Sequence, residues 1–185
     1  MQVLGPTFAQ TASANELAIW DKLQGTNPKG YVLLLRHSLA PRSGDPVNFR
    51  LGDCSTQRNL SEEGRQDARD IGAWIARRGI PIRSGELSRW CRAKQTAELL
   101  SLGRVISNKN LDSLFQDADP INSKQTANIR KKIVNHRQRT GLIVLVGHFV
   151  NVSALTGVGL DSGKGVLVRA NARGELKIMG YSPTP

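Results

Sequence analysis

A chain of 185 residues is long enough to bury one substantial core. With 39% hydrophobic and 22% charged residues it is not a disordered chain, and no apolar run approaches the roughly 18 to 20 residues that span a bilayer. The 26 Lys and Arg against 15 Asp and Glu, a net charge of +11, favour anionic partners such as phosphates without specifying a fold.

In chain order, residues 1–14, closing on Ala12-Ser13-Ala14, read either as the remnant of an export signal or as a frayed terminus. Asn15 is placed to cap a helix through Leu23, ended by Gly25, Asn27 and Pro28. Residues 31–35 form a continuous apolar run of strand length, the pattern of a strand covered on both faces. Residues 41–59 are a polar loop rich in Gly, Pro, Asp and Asn. Ser61 caps a helix that runs to Gly79, where Gly79-Ile80-Pro81 stops it. Residues 82–87 are a weaker strand, and Ser88 is placed to open a helix from about Cys91 to Leu100. A short strand at 104–106 and a polar loop lead into a long basic helix, 123–137. Residues 142–146 are the second strong apolar run. A short helix from Asn151, which is placed to cap it or else to bond the loop of His148, precedes strands at 165–168 and 176–179, joined as a hairpin through 171–174. Strands alternating with helices predict an α/β fold: a three-layer α/β/α sandwich with a mostly parallel central sheet and an antiparallel edge strand.

Chemistry gathers at strand ends. The chain has three histidines, and two of them, His37 and His148, directly follow the two most apolar strands. Open α/β sheets place their ligand crevice at the carboxyl ends of strands, so both imidazoles are expected at one edge. Arg36 precedes His37, and a buried guanidinium there calls for an anion that its planar fork can hold bidentately. Arg92 lies where a strand passes into a helix, whose N-terminus also favours anions. His136, among Lys131, Lys132, Arg137 and Arg139, is expected at the surface, and Trp20, Trp74 and Trp90 in packing roles. Cys54 and Cys91 form either one bridge or two thiols; they do not have the spacing of a zinc motif.

The succession Arg36-His37, Leu60-Ser61-Glu62-Glu63-Gly64, then Ser88, Arg92 and Thr96, then Gly147-His148 resembles the histidine phosphatase superfamily. That is the fold shared with the cofactor-dependent phosphoglycerate mutases. The resemblance covers about residues 31–157, and the compact length resembles small bacterial members. It implies one such domain over 15–185 and a two-step phosphoryl transfer that uses no cofactor and no metal. His37 would attack phosphorus and become phosphohistidine, while Arg36, Arg92 and His148 hold the nonbridging oxygens. Ser38, Arg58 and Asn59 are further candidates for phosphate contact, and Arg42 and Arg50 for an acidic leaving group. Ser38 stands where the family has glycine. Phe149 stands where its phytase-like branch has an acidic aspartate. Asp117 and Asp119 are candidates for the proton donor, or else caps of their loop; with no donor the enzyme would favour good leaving groups.

The implied partner is a phosphate-containing substrate, either a small phosphomonoester or a phosphorylated protein. Alternatives are a phosphoglycerate mutase-like phosphotransferase and a noncatalytic phosphate or polyanion binder of the same fold. A metallohydrolase built on His37, His148, Asp53 and Cys54 does not have compact ligand spacing. Aromatics make up 5% of the chain and no nucleic-acid motif is present, so nucleic acid is not an expected partner. A soluble protein of the cytoplasm, or an exported one of the periplasm, fits these features, with the oligomeric state open.

Overall fold

The two apolar runs become neighbouring central strands of one sheet. A computed structural model describes residues 14–25 and 28–182 of the chain. Its strands are β1 (Tyr31–Arg36), β2 (Ile82–Leu87), β3 (Val105–Ser107), β4 (Leu142–Gly147), β5 (Gly165–Ala170) and β6 (Leu176–Tyr181). They lie in the order β3-β2-β4-β1-β5-β6. The first four run parallel; β5 is antiparallel to β1, and β6 to β5, so both closing strands form the antiparallel edge. Every residue of β4 is buried, as is every residue of β1 except the partly exposed Arg36, which is why these two segments carry no polar alternation.

Among the described residues, five α-helices cover the two faces: α1 (Ala14–Asp21), α2 (Glu62–Arg77), α3 (Cys91–Leu99), α4 (Lys124–His136) and α5 (Phe149–Thr156). Strand alternation sends Leu33, Leu35, Val144 and Val146 to one face, against Trp20 of α1, Ile71 and Ile75 of α2, and Ala93 and Ala97 of α3. It sends Val32, Leu34, Ile143 and Leu145 to the other, against Ile129 and Ile133 of α4 and Val152 and Leu155 of α5. Trp20 packs edge-on to Trp74 and its indole N–H donates to the Tyr181 carbonyl. No helix among the described residues is long and apolar enough to cross a membrane.

The serine caps appear where they are expected: Ser61 accepts from the Gly64 N–H at the start of α2, and Ser123 from the Thr126 N–H at the start of α4. Four expectations need correction. Asn15 lies inside α1, which begins at Ala14, so it is not the cap. Ser88 does not cap α3; Trp90 holds that position and makes no side-chain cap bond. α5 starts directly after β4 with His148 as its N-cap, so Asn151 is already helical. It instead donates from Nδ2 to the Asp112 carbonyl. His136 is buried, not superficial. It follows Ile129 and Ile133 at helical spacing on the inner face of α4, and its Nε2–H donates to the Gly141 carbonyl at 2.8 Å. Residues 1–13 of the expected leader, and Asn27, lie outside the described residues.

Candidate active site

The register of the central strands decides where the chemistry meets. Arg36 is paired with Gly147 across β1 and β4, so the next residues, His37 and His148, leave adjacent strand ends together. The His37 N–H donates to the Gly147 carbonyl and continues the ladder one step. The two imidazoles are both buried, with ring centroids 5.3 Å apart and planes at 68°. A cavity of about 300 Å³ opens on them, walled by Arg36, Arg42, Arg58 and Arg92, by Asp45, and by Ser113, Phe115, Phe149 and Val150.

His37 has a defined tautomer. Its Nδ1 lies 2.8 Å from the Ser38 carbonyl, which can only accept, so Nδ1 carries the proton and Nε2 the lone pair. The Nε–H of Arg92 donates to that lone pair at 3.2 Å. Burial is the main cause that lowers the His37 pKa to about 3; the Ser38 carbonyl opposes it, and the charges of Arg92, Arg36 and Arg58 add to it. The ring is therefore neutral at neutral pH.

His148 is likewise held well below the usual imidazole range, first by burial, then by His37 and the charges of Arg92, Arg58 and Arg36. Its Nε2 is 2.8 Å from Ser88 Oγ, and its Nδ1 faces Arg92 Nη2 at 3.5 Å. A hydroxyl serves either tautomer. When Ser88 donates to Nε2, the Nδ1–H is free to donate to an anion.

Arg92 and Thr96 lie one helical turn apart on the inner face of α3. Thr96 Oγ1 donates to the Arg92 carbonyl and accepts the Ser38 N–H, which pins the chain just past His37. Gly64 lets α2 approach the same stretch: a Cβ there would sit 2.3 Å from the Leu39 carbonyl oxygen, and the Ser61 N–H donates to that same oxygen. Arg36 donates from Nη1 to the Leu160 carbonyl at 2.7 Å, and Arg58 from Nη1 to the carbonyls of Ala40, Pro41 and Arg42. In both arginines the Nε donor is buried without a hydrogen-bond partner.

Thus His37, His148, Arg36, Arg92, Arg58 and Arg42 share one cavity, whereas other candidates lie elsewhere. Asn59 is a strut: it donates to the Cys54 and Gln57 carbonyls and accepts from Gln95. The Ser38 hydroxyl is buried beside Gly163, without a hydrogen-bond partner, and does not line the cavity. Arg50 also stays outside that lining. Asp117 and Asp119 bond within their own exposed loop, to the Asp119 N–H and to Asn122 respectively, so neither reaches the site. Cys54 and Cys91 are bridged, and Asp53 caps a 3₁₀ turn by accepting from Ser55, which removes both from the metal-ligand set considered above. The bridge pins the 41–59 loop to the start of α3, next to Arg92.

Two residues of the site escape sequence reasoning. Asp45 Oδ1 accepts from Arg92 Nη1 at 2.7 Å, and its Oδ2 accepts from the Trp90 indole at 2.9 Å. Trp90, expected only to pack, stacks on Phe49 and meets His148 edge-on. Gly44-Asp45-Pro46 has the signature of a surface turn, and no spacing ties it to α3.

No family model matches the sequence, and no curated protein matches it. Solved structures do. The protein histidine phosphatase SixA, complexed with tungstate, is 16% identical with a TM-score of 0.59 over 83% of this chain and 97% of that one. A phosphoserine phosphatase mutant from Entamoeba histolytica, in complex with phosphoserine, is 11% identical with a TM-score of 0.60 over 83% and 97%. The mycobacterial glucosyl-3-phosphoglycerate phosphatase Rv2419c is 14% identical with a TM-score of 0.62 over 85% and 100%. These likenesses establish the architecture: the chain has the fold of the histidine phosphatase superfamily.

Proposed function

We propose that this chain is a phosphatase that hydrolyses a phosphomonoester, free or carried on a protein, through a phosphohistidine on His37. One observation carries the reading. A neutral imidazole, its Nδ1–H committed to the Ser38 carbonyl, holds its Nε2 lone pair on the Arg92 Nε–H, a bond that attack on phosphorus replaces, in a cavity walled by Arg36, Arg58 and Arg92. The buried, partnerless Nε donors of Arg36 and Arg58 support it, because an oxyanion would satisfy them. So do the phosphatases, and the bound tungstate and phosphoserine, among structures of the same fold.

The chemistry follows from these groups. Phosphoryl transfer asks the protein mainly to position the reactants and to offset charge on the equatorial oxygens. Arg36, Arg58 and Arg92 supply the charge, and His148 supplies a hydrogen bond through the Ser88-set tautomer. His37 Nε2 attacks in line, and water then releases phosphate from the phosphoenzyme. Burial, with the arginine charges adding to it, keeps His37 deprotonated before attack, and once the ring is phosphorylated the arginines hold the phosphoryl group.

Rapid quench with a ³²P-labelled aryl phosphate tests this. The wild-type chain is expected to carry an acid-labile, base-stable label that maps to His37, with no label and no turnover in His37→Ala. Turnover retained in His37→Ala would defeat the covalent mechanism. Isomerisation of a phosphoglycerate in place of its hydrolysis would turn the reading to a mutase.

A further inference from the structure

We infer that Asp45 is the proton donor to the leaving oxygen, an inference that rests on the phosphatase reading above. An alkoxide is a poor leaving group, and protonating it as the P–O bond breaks is the remaining task that the arginines and histidines cannot perform. His148 is not suited to it: one nitrogen is held by Ser88, the other faces Arg92, and the ring is neutral. Among the described residues, Asp45 is the one carboxyl group in the cavity wall.

Its placement suits the role. The Arg92 guanidinium presents Nε to the nucleophilic nitrogen of His37 and Nη1 to Asp45 Oδ1. A phosphoryl group bridging from His37 along that guanidinium would turn its ester oxygen toward Asp45. The carboxyl is also held firmly. Trp90 fixes Oδ2, Phe49 stacks on Trp90 at 5.1 Å between centroids, and the Cys54–Cys91 bridge ties the loop to α3 one residue beyond Trp90. Asp45 keeps a side-chain exposure of 20%, which leaves it a path to solvent protons.

A bound phosphoryl group takes over the Arg92 hydrogens and places negative charge beside Asp45. The proton that Asp45 delivers is brought into the site by the monoanionic ester or by solvent, which the 20% exposure of the side chain admits. In the first step the His37 Nε2–P bond forms and the P–O ester bond breaks. The electron pair goes to the leaving oxygen, which takes the Asp45 proton and departs as an alcohol. In the second step the Asp45 carboxylate accepts a proton from the attacking water, a P–O bond forms, and the P–N electron pair returns to His37.

The test compares Asp45→Asn with wild type on a series of phosphomonoesters, from 4-nitrophenyl phosphate through phenyl phosphate to phosphoserine. A proton donor predicts that the loss of kcat/KM steepens with leaving-group basicity, being about 100-fold greater for phosphoserine than for 4-nitrophenyl phosphate. Asp45→Glu is expected to recover part of the phosphoserine activity. Losses equal across the series would overturn the assignment and leave Asp45 as a positioning group for Arg92. If Asp45→Asn fails to fold, the wild-type series decides: a rate nearly independent of leaving group supports a donor, and a steep fall with leaving-group basicity overturns it. Absence of any phosphoenzyme in wild type would overturn the phosphatase reading and this inference together.

Discussion

At the scale of single residues, burial decides protonation. His37 is held at about 3, and His148 and His136 also lie below the usual imidazole range, in each case chiefly through loss of water around the ring. In the unfolded chain each returns to about 6.5. Between those values the unfolded chain binds more protons, so stability is complete above pH 6.5 and is lost as pH falls toward 3. Each histidine contributes at most about 1.4 kcal/mol per pH unit in that window. Urea unfolding at pH 7 and pH 5 is expected to show a clearly lower midpoint at pH 5, and an unchanged midpoint would contradict neutral burial of the three rings. His37 and His148 were legible because they follow the two apolar strands. Asp45 and Trp90 were not, because their partners lie 47 residues away in one case and on another element in the other.

At the scale of elements, the Ser61–Gly64 turn is the most exacting contact. A Cβ at Gly64 would meet backbone, which has no rotamer to yield, so α2 would have to move away from the chain that follows His37. Gly64→Ala is expected to cost about 1–3 kcal/mol or more and to slow phosphoenzyme formation. Ser61→Ala forfeits only the cap, about 1 kcal/mol. Thermal unfolding of the two variants checks this, and a Gly64→Ala protein no less stable than Ser61→Ala would remove the constraint. Strands β1 and β4 and helices α2 and α4 were readable from periodicity and serine caps. The start of α5 was not. The chain turns straight from β4 into helix at His148, and Gly147 and His148 give no sequence signal for how short that turn is.

At the scale of the whole molecule, the Cys54–Cys91 bridge closes a separation of 37 residues and fastens the loop that carries Asp45 and Arg58 to the helix that carries Arg92. The loop-closure model gives about 4 kcal/mol for a ring of that size. Reduction, or the double substitution Cys54→Ser with Cys91→Ser, is expected to lower the urea midpoint accordingly. It should also raise KM more than it lowers kcat, because the loop forms one wall of the cavity. Equal midpoints with and without reductant would show that the loop is held without the bridge, by the bonds of Gln57 to the Cys91 N–H, of Asn59 to Gln95 and of Asp45 to Arg92 and Trp90.

Local order along the chain settled the layers, the two central strands and the meeting of His37 with His148. Hydrophobic periodicity and strand-end position are properties of neighbouring residues, and a parallel sheet delivers all its carboxyl ends to one edge. Which loop folds back over that edge was decided by the tertiary structure. The pairing of Asp45 with Arg92, the joining of Cys54 to Cys91 and the turning of Asp117 and Asp119 away from the site all depend on contacts between distant segments. Those contacts form only once the sheet has brought the segments together, and no spacing in the sequence encodes them.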